Sequence, residues 1–361
     1  MNPYWSECIR GIKPYTPGEQ PLMDRVVKLN TNENPYPPSP AVLDAIRKAT
    51  CADLRRYPDP RGDALRQTLA RMHGLTGSHI FLGNGSDEVL AHVFLSLLKH
   101  DLPVLFPDVS YSFYPVYCAL YGIEYETVPL NESFQVDISG FTRPNGGIVL
   151  ANPNAPTGCA ISRSMIRSLL EQSPRSVVVV DEAYVDFGCE SAVPLIDRFD
   201  HLLVVQTLSK SRSLAGLRVG FAMGHPSLIE ALDLVKSCFN SYPLDRLALA
   251  GAQAALLDKD YFETTRRQVM DSRRWLAQNL TQLGFLVLPS KANFLFVHHP
   301  SHDAQELHHQ LRKRHILVRH FAGRRTDQFL RISIGTREEC RTLVEKLMEI
   351  LETDFKKGDQ R

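Results

Sequence analysis

At 361 residues, with 43% hydrophobic and 22% charged residues and a formal net charge of +1, the sequence can bury a sizeable core and has the composition of an ordinary globular protein. So even a charge balance gives no whole-chain attraction to nucleic acid or membrane, and the apolar runs are strand-length, well short of the ~18 residues of a membrane span. The seven cysteines are scattered and never spaced Cys-x-x-Cys, and the first residues lack the charged-then-apolar order of a signal peptide. We therefore expect a reduced, cytoplasmic setting with neither a disulfide framework nor a zinc knuckle.

In chain order, residues 1–44 are proline-rich with little periodicity and read as an extended arm. From about 45 to 245, helical patterns alternate with short apolar runs at 79–82, 103–106, 147–151, 177–180, 202–205 and 219–222. This alternation predicts a mainly parallel sheet with helices on both faces, a large α/β domain. Residues 244–282 carry helical periodicity and predict one long helix leaving it. Apolar runs at 285–288, 294–298, 316–321 and 329–334, with helical patterns between and after them, predict a smaller α/β domain over 246–361. Its last helix opens at Thr336-Arg337-Glu338-Glu339, the pattern of a capping box. Thirteen histidines include the pairs His298-His299 and His308-His309, but without His-Glu-x-x-His and amid charged residues they read as solvated side chains, not metal ligands.

Two strand ends carry the chemistry. Asp181 closes the run of valines at 177–180, and Lys210 follows the run at 202–205 in Thr207-Leu208-Ser209-Lys210. Open α/β sheets bind ligands at the carboxyl ends of their strands. An amine that condenses with an aldehyde and a carboxylate that pairs with a pyridinium nitrogen are what pyridoxal phosphate requires. Gly83-Asn84-Gly85-Ser86-Asp87-Glu88 sits at a strand-to-helix turn, where backbone amides and a helix N-terminus favour an anion, although it is neither a Gly-x-Gly-x-x-Gly nor a Walker loop. Tyr111 follows the next strand and offers a ring for stacking; Tyr114 and Tyr117, at helical spacing, fit core packing equally well. Asn152-Pro153-Asn154-Ala155-Pro156-Thr157-Gly158 makes a rigid turn. Ser209, Lys210 and Arg218 place a hydroxyl, an amine and a guanidinium within ten positions, which suits an anionic ligand held through its aldehyde.

In this order, together with Asn32-Glu33-Asn34-Pro35-Tyr36, Tyr57-Pro58, Leu217-Arg218-Val219-Gly220-Phe221 and Leu330-Arg331-Ile332-Ser333, these pieces resemble a class-II, fold-type-I pyridoxal phosphate-dependent aminotransferase over essentially the whole chain. The subgroup most similar is that acting on histidinol phosphate. The resemblance implies a seven-stranded, mainly parallel large-domain sheet. It also implies Lys210 as the amine joined to the cofactor aldehyde, Asp181 on the ring nitrogen, Tyr184 on the ring oxygen and Tyr111 against the ring. Gly85, Ser86, Asp87, Ser209 and Arg218 would serve the phosphate, with Tyr57 reaching the neighbouring subunit's site in a homodimer. Arg331 would grip the substrate anion, Arg319 a substrate phosphate, and Tyr15 and Asn32 would close over the substrate, histidinol phosphate in one half-reaction and glutamate or 2-oxoglutarate in the other. One position departs from the family, which commonly has Asn immediately before Pro-Thr-Gly where this chain has Ala155; the ring-oxygen contact expected there is either lost or comes from Asn154, one place away. The same scaffold serves a threonine-phosphate decarboxylase and aromatic aminotransferases, which the motifs barely separate.

Overall fold

The computed structural model describes residues 4–20 and 26–358, so part of the proline-rich arm (1–3 and 21–25) lies outside the described residues. Its centre is a seven-stranded sheet. In spatial order the strands are Ile80–Asn84, Val219–Gly224, Leu202–Thr207, Val178–Asp181, Gly147–Ala151, Val104–Pro107 and Tyr125–Val128. All neighbours run parallel except at Val219–Gly224, which is antiparallel to the strands on both sides of it.

Successive side chains of a strand point to opposite faces, and both faces here are covered. Leu150, Val180 and Val204 pack with Ile166, Leu169 and Ala252 on one side; Val149, Val179 and Val205 pack with Phe94, Tyr114 and Leu232 on the other. That double burial is why the strands read as continuous apolar runs. The register pairs Ala151 with Asp181 and Asp181 with Val205, so the carboxyl ends of the three central strands finish side by side.

A second core surrounds a four-stranded antiparallel sheet ordered Arg319–His320, Leu330–Ser333, Phe294–His298, Leu286–Val287. The run at 316–321 is two strands, because Ile316–Leu317 leaves this sheet to pair in parallel with Val27–Lys28 of the arm. The helix expected over 244–282 is also two, Arg246–Leu257 and Lys259–Gln282, with the Asp258 side chain capping the second by accepting from the Tyr261 amide at 3.3 Å. The break has a packing reason. Ala248, Ala252 and Leu256 of the first helix join the core under the large sheet, whereas Val269, Leu276 and Leu280 of the second join the other core. The final helix, Arg337–Gly358, opens on the expected reciprocal cap: the Thr336 amide donates to Glu339 at 2.7 Å and the Glu339 amide donates to the Thr336 hydroxyl at 3.2 Å. No helix among the described residues is long and apolar enough to cross a membrane.

Candidate active site

The carboxyl ends of the central strands, the start of helix Gly85–Leu97, the arm around Tyr15 and Asn30–Asn32, and strand Leu330–Ser333 enclose one cavity. On its wall lie Tyr15, Asn32, Ser86, Asp87, Tyr111, Asp181, Tyr184, Ser209, Lys210, Arg218, Arg319 and Arg331, so the structure brings together most of the residues singled out in the sequence.

At one end, helix Gly85–Leu97 begins without a side-chain cap, so the amides of its first turn lack side-chain partners, and Ser86 and Asp87 of that turn line the cavity, which favours an anion there. Close approach is built into the backbone there. Gly85 has φ +81°, and a Cβ on it would collide with the Arg218 guanidinium; a Cβ on Gly220 of the neighbouring strand would collide with the Gly85–Ser86 backbone. Asp87 acts as a hub, accepting from Arg218 Nη2 at 2.9 Å and from the Tyr111 hydroxyl at 3.0 Å, while its carbonyl accepts from Tyr117 at 2.8 Å. It thereby fixes the guanidinium and the stacking ring against each other.

Asp181 is almost wholly buried, its carboxylate accepting from the Tyr114 hydroxyl at 3.0 Å and the Ala183 amide at 3.1 Å. Burial pushes its pKa up to about 6, partly offset by those two hydrogen bonds. Among the described residues no cation hydrogen-bonds it, although the Lys210 charge nearby favours its ionised form, so a ligand carrying positive charge would gain a partner here. Tyr114, which the sequence left as core, is thus a site residue. Lys210 is held at its backbone by Asn34, whose side-chain amide donates to the Lys210 carbonyl at 3.0 Å, and its Nζ lies 3.3 Å from the Thr31 carbonyl. The Ser209 hydroxyl accepts from Thr207 Oγ1 at 3.0 Å at the end of the same strand.

On the arm and small-sheet side, Tyr15 stacks on Phe113 with ring centroids 4.8 Å apart. Asn32, expected over the substrate, lines the cavity while largely buried, and its side-chain amide donates to the Tyr184 hydroxyl at 3.0 Å. Arg319 donates to the carbonyls of Thr16 at 3.1 Å and Pro17 at 3.3 Å and so latches the arm as well as lining the cavity. Arg331 donates to the Asn30 carbonyl at 3.1 Å, but its Nε is buried with no partner, and burial lowers its pKa. A buried guanidinium with an open donor is a strong anion site.

Three expected residues lie off the wall: Gly85, which precedes Ser86 at the helix start, Asn154 and Tyr57. Asn154 spends both amide hydrogens on the Val109 carbonyl (2.9 Å) and Thr157 Oγ1 (3.1 Å), and its oxygen accepts from Ser110 at 2.9 Å, so no donor is left for a ring oxygen. Ala155 occupies the wall in its place. Tyr57 is 79% exposed and stacks on Tyr242 at 4.6 Å, away from the cavity.

The residues fit pyridoxal phosphate on the structure's own terms: a glycine cradle at an uncapped helix start, a buried carboxylate with no cation hydrogen-bonded to it among the described residues, and an amine beside both. An outer cleft of about 570 Å³, sharing Tyr15, Tyr111, Arg319 and Arg331 with the cavity, leaves room for a substrate.

A family model described as aminotransferase class I and II matches residues 24–347. A histidinol-phosphate aminotransferase 1 of Methylococcus capsulatus is 61% identical over 97% of this chain and 98% of that protein, and one of Pseudomonas fluorescens is 57% identical over 97% and 100%. Among solved structures, a histidinol-phosphate aminotransferase of Sinorhizobium meliloti in complex with pyridoxal-5'-phosphate superposes with a TM-score of 0.83 at 27% identity, over 90% of this chain and 91% of that one. An L-threonine-O-3-phosphate decarboxylase of Porphyromonas gingivalis shares the fold, with a TM-score of 0.78 at 23% identity over 91% and 100%. Sequence, fold and site agree: the chain belongs to the class I and II aminotransferase family and is a pyridoxal phosphate-dependent enzyme.

Proposed function

We propose that the enzyme transfers the amino group of histidinol phosphate to 2-oxoglutarate, giving imidazole acetol phosphate and glutamate, a step of histidine biosynthesis. The relatives named above support the substrate, and Arg331 carries the reading within this chain. It is a buried cation on the cavity wall with an open Nε, and no carboxylate among the described residues pairs with it. A guanidinium accepts a carboxylate or a phosphate in a two-pronged contact, which both half-reactions need.

When bound, pyridoxal phosphate supplies an electron-withdrawing ring that stabilises the charge left at the substrate's Cα. The chain's residues do the rest. Lys210, whose Nζ reaches the cavity, would hold the cofactor through its aldehyde and, as a free amine, would serve as the base that moves the substrate's Cα proton. Asp181, held by Tyr114 and Ala183, would keep the ring nitrogen positive. The amides of Gly85 and Ser86 at the helix start, with Ser209 and Arg218, would hold the phosphate, and the Tyr15–Phe113 stack with the Arg319 latch ties the arm over the cavity.

Tyr57, Leu54, Phe239 and Tyr242 expose apolar surface together with a ring that this cavity does not use. We read that surface as covered by a second copy in a cytoplasmic homodimer, with each Tyr57 completing its neighbour's phosphate site. We also propose a division into an arm (1–44), a large domain and a small domain that meet at Asp258, not after residue 245, since helix Arg246–Leu257 packs in the large core.

The test is a single half-reaction. Histidinol phosphate alone should convert the bound cofactor to its amine form in one turnover, and O-phosphothreonine should release no carbon dioxide. Carbon dioxide release without any oxo acid would instead establish the decarboxylase reading.

A further inference from the structure

Tyr184 is tied to the small sheet by a directional chain of hydrogen bonds. The Asn32 backbone amide donates to the Ser333 hydroxyl at 2.8 Å, Ser333 donates to Asn32 Oδ1 at 3.0 Å, and Asn32 Nδ2 donates to the Tyr184 hydroxyl at 3.0 Å. Asn32 is locked in place: its φ is +56°, in the left-handed region, and its carbonyl accepts from Asn293 at 3.0 Å. The Tyr184 ring packs against the apolar cluster of Ala155, Ala292 and Phe294, of which Ala155 lines the cavity.

The sense of the chain follows from Ser333. Its hydroxyl is buried, and its oxygen already accepts from the Asn32 amide, so Asn32 Oδ1 is the acceptor for its hydrogen. Turning the Asn32 amide over would leave that buried hydrogen without a partner. Because the Tyr184 oxygen accepts from Asn32, its own hydrogen is free to donate into the cavity.

We propose that Ser333 and Asn32 form a relay that aims the Tyr184 hydroxyl at the cofactor's ring oxygen, making Ser333 a positioning residue for a contact that Ala155 cannot share. The relay rests on the pyridoxal phosphate reading and deepens it. A polarised donor is a stronger one, so the relay strengthens the single protein contact that this wall offers the ring oxygen.

The experiment loads the full-length enzyme with pyridoxal phosphate and follows its visible absorption against pH. A donor on the ring oxygen draws charge away from it, so the proton that this oxygen shares with the Lys210 nitrogen leaves at lower pH. Weakening the donor must therefore raise the midpoint. The other charged groups on the wall are Asp87, Asp181, Lys210, Arg218, Arg319 and Arg331, with the phenols Tyr15 and Tyr111 and with Glu33 close to Lys210; none bonds to Ser333. Ser333→Ala should raise the midpoint by about half a pH unit, and Asn32→Gly, which keeps the left-handed backbone, by more. In a Tyr184→Phe background, Ser333→Ala should add nothing. Should Asn32→Gly fail to fold, Ser333→Ala removes a single oxygen and decides alone. An unchanged midpoint, a fall, or an equal rise in the Tyr184→Phe background overturns the relay. A wild-type enzyme with no visible band on loading would overturn the cofactor reading itself and the relay with it.

Discussion

Asp181 makes a prediction that runs against the usual effect of changing an active-site residue. Its pKa is pushed up by burial to about 6 from an ordinary 3.8, more than the hydrogen bonds from Tyr114 and Ala183 and the charge of Lys210 pull it down. A carboxyl whose folded value is raised stabilises the fold only while it is protonated. That contribution is complete below the unfolded value and is lost as pH rises through about 6. Two pH units correspond to roughly 3 kcal/mol of penalty on the cofactor-free enzyme at pH 8. Asp181→Asn removes the charge while its amide can still accept from Ala183 and meet Tyr114, which loses about 1 kcal/mol of hydrogen bonding. The cofactor-free variant should therefore be more stable than wild type by about 2 kcal/mol at pH 8, a gain of about 3 °C in melting temperature for a chain of 361 residues, and the gain should vanish near pH 4. Thermal melts across pH read this directly. Adding pyridoxal phosphate should reverse the order, because only the charged aspartate gains from the ring nitrogen, and turnover in the variant should fall by several orders of magnitude. A variant no more stable than wild type at pH 8 would refute the picture of an uncompensated buried charge.

Other outcomes follow from the same geometry. Lys210→Ala should bind the cofactor through Gly85, Ser86, Ser209 and Arg218 but show no borohydride-fixed adduct and no turnover; a surviving adduct would place the reactive amine elsewhere. Gly220→Ala drives a Cβ into the Gly85–Ser86 backbone, so cofactor affinity, followed by absorbance titration, should drop about tenfold or more while Lys210 stays reactive. Arg331→Lys should weaken the half-reactions of glutamate and histidinol phosphate alike, by about 2 kcal/mol each in kcat/KM. Arg319→Ala removes a cavity cation and also releases Thr16 and Pro17, so it should slow both half-reactions, the phosphorylated substrate more, and should raise proteolytic cleavage in the arm.

Much of the site was legible because it sits where patterns change. Asp181 and Lys210 follow buried parallel strands, whose unbroken apolar runs are hard to mistake, and a charge at such a run's end stands out. Gly85 and Ser86 were found through the strand-to-helix turn. What escaped has equally physical causes. Tyr114 shares its helical spacing with core aromatics, and only the fold brings its hydroxyl to Asp181. The edge strand Tyr125–Val128 is mostly exposed and lacks the apolar run of its neighbours. The break at Asp258 is hidden because both flanking helices are amphipathic, each toward a different core. That Asn32 also bonds to Tyr184 could not be read from a short motif, which says nothing of the left-handed φ that turns its side chain there.

The most direct test of the substrate reading is a donor panel: histidinol phosphate, O-phosphothreonine, phenylalanine and tyrosine, each with 2-oxoglutarate, followed by glutamate formation. The account predicts the highest kcat/KM for histidinol phosphate, with glutamate and imidazole acetol phosphate formed in equal amounts. A higher kcat/KM for an aromatic amino acid, or glutamate that never forms from histidinol phosphate, would contradict it.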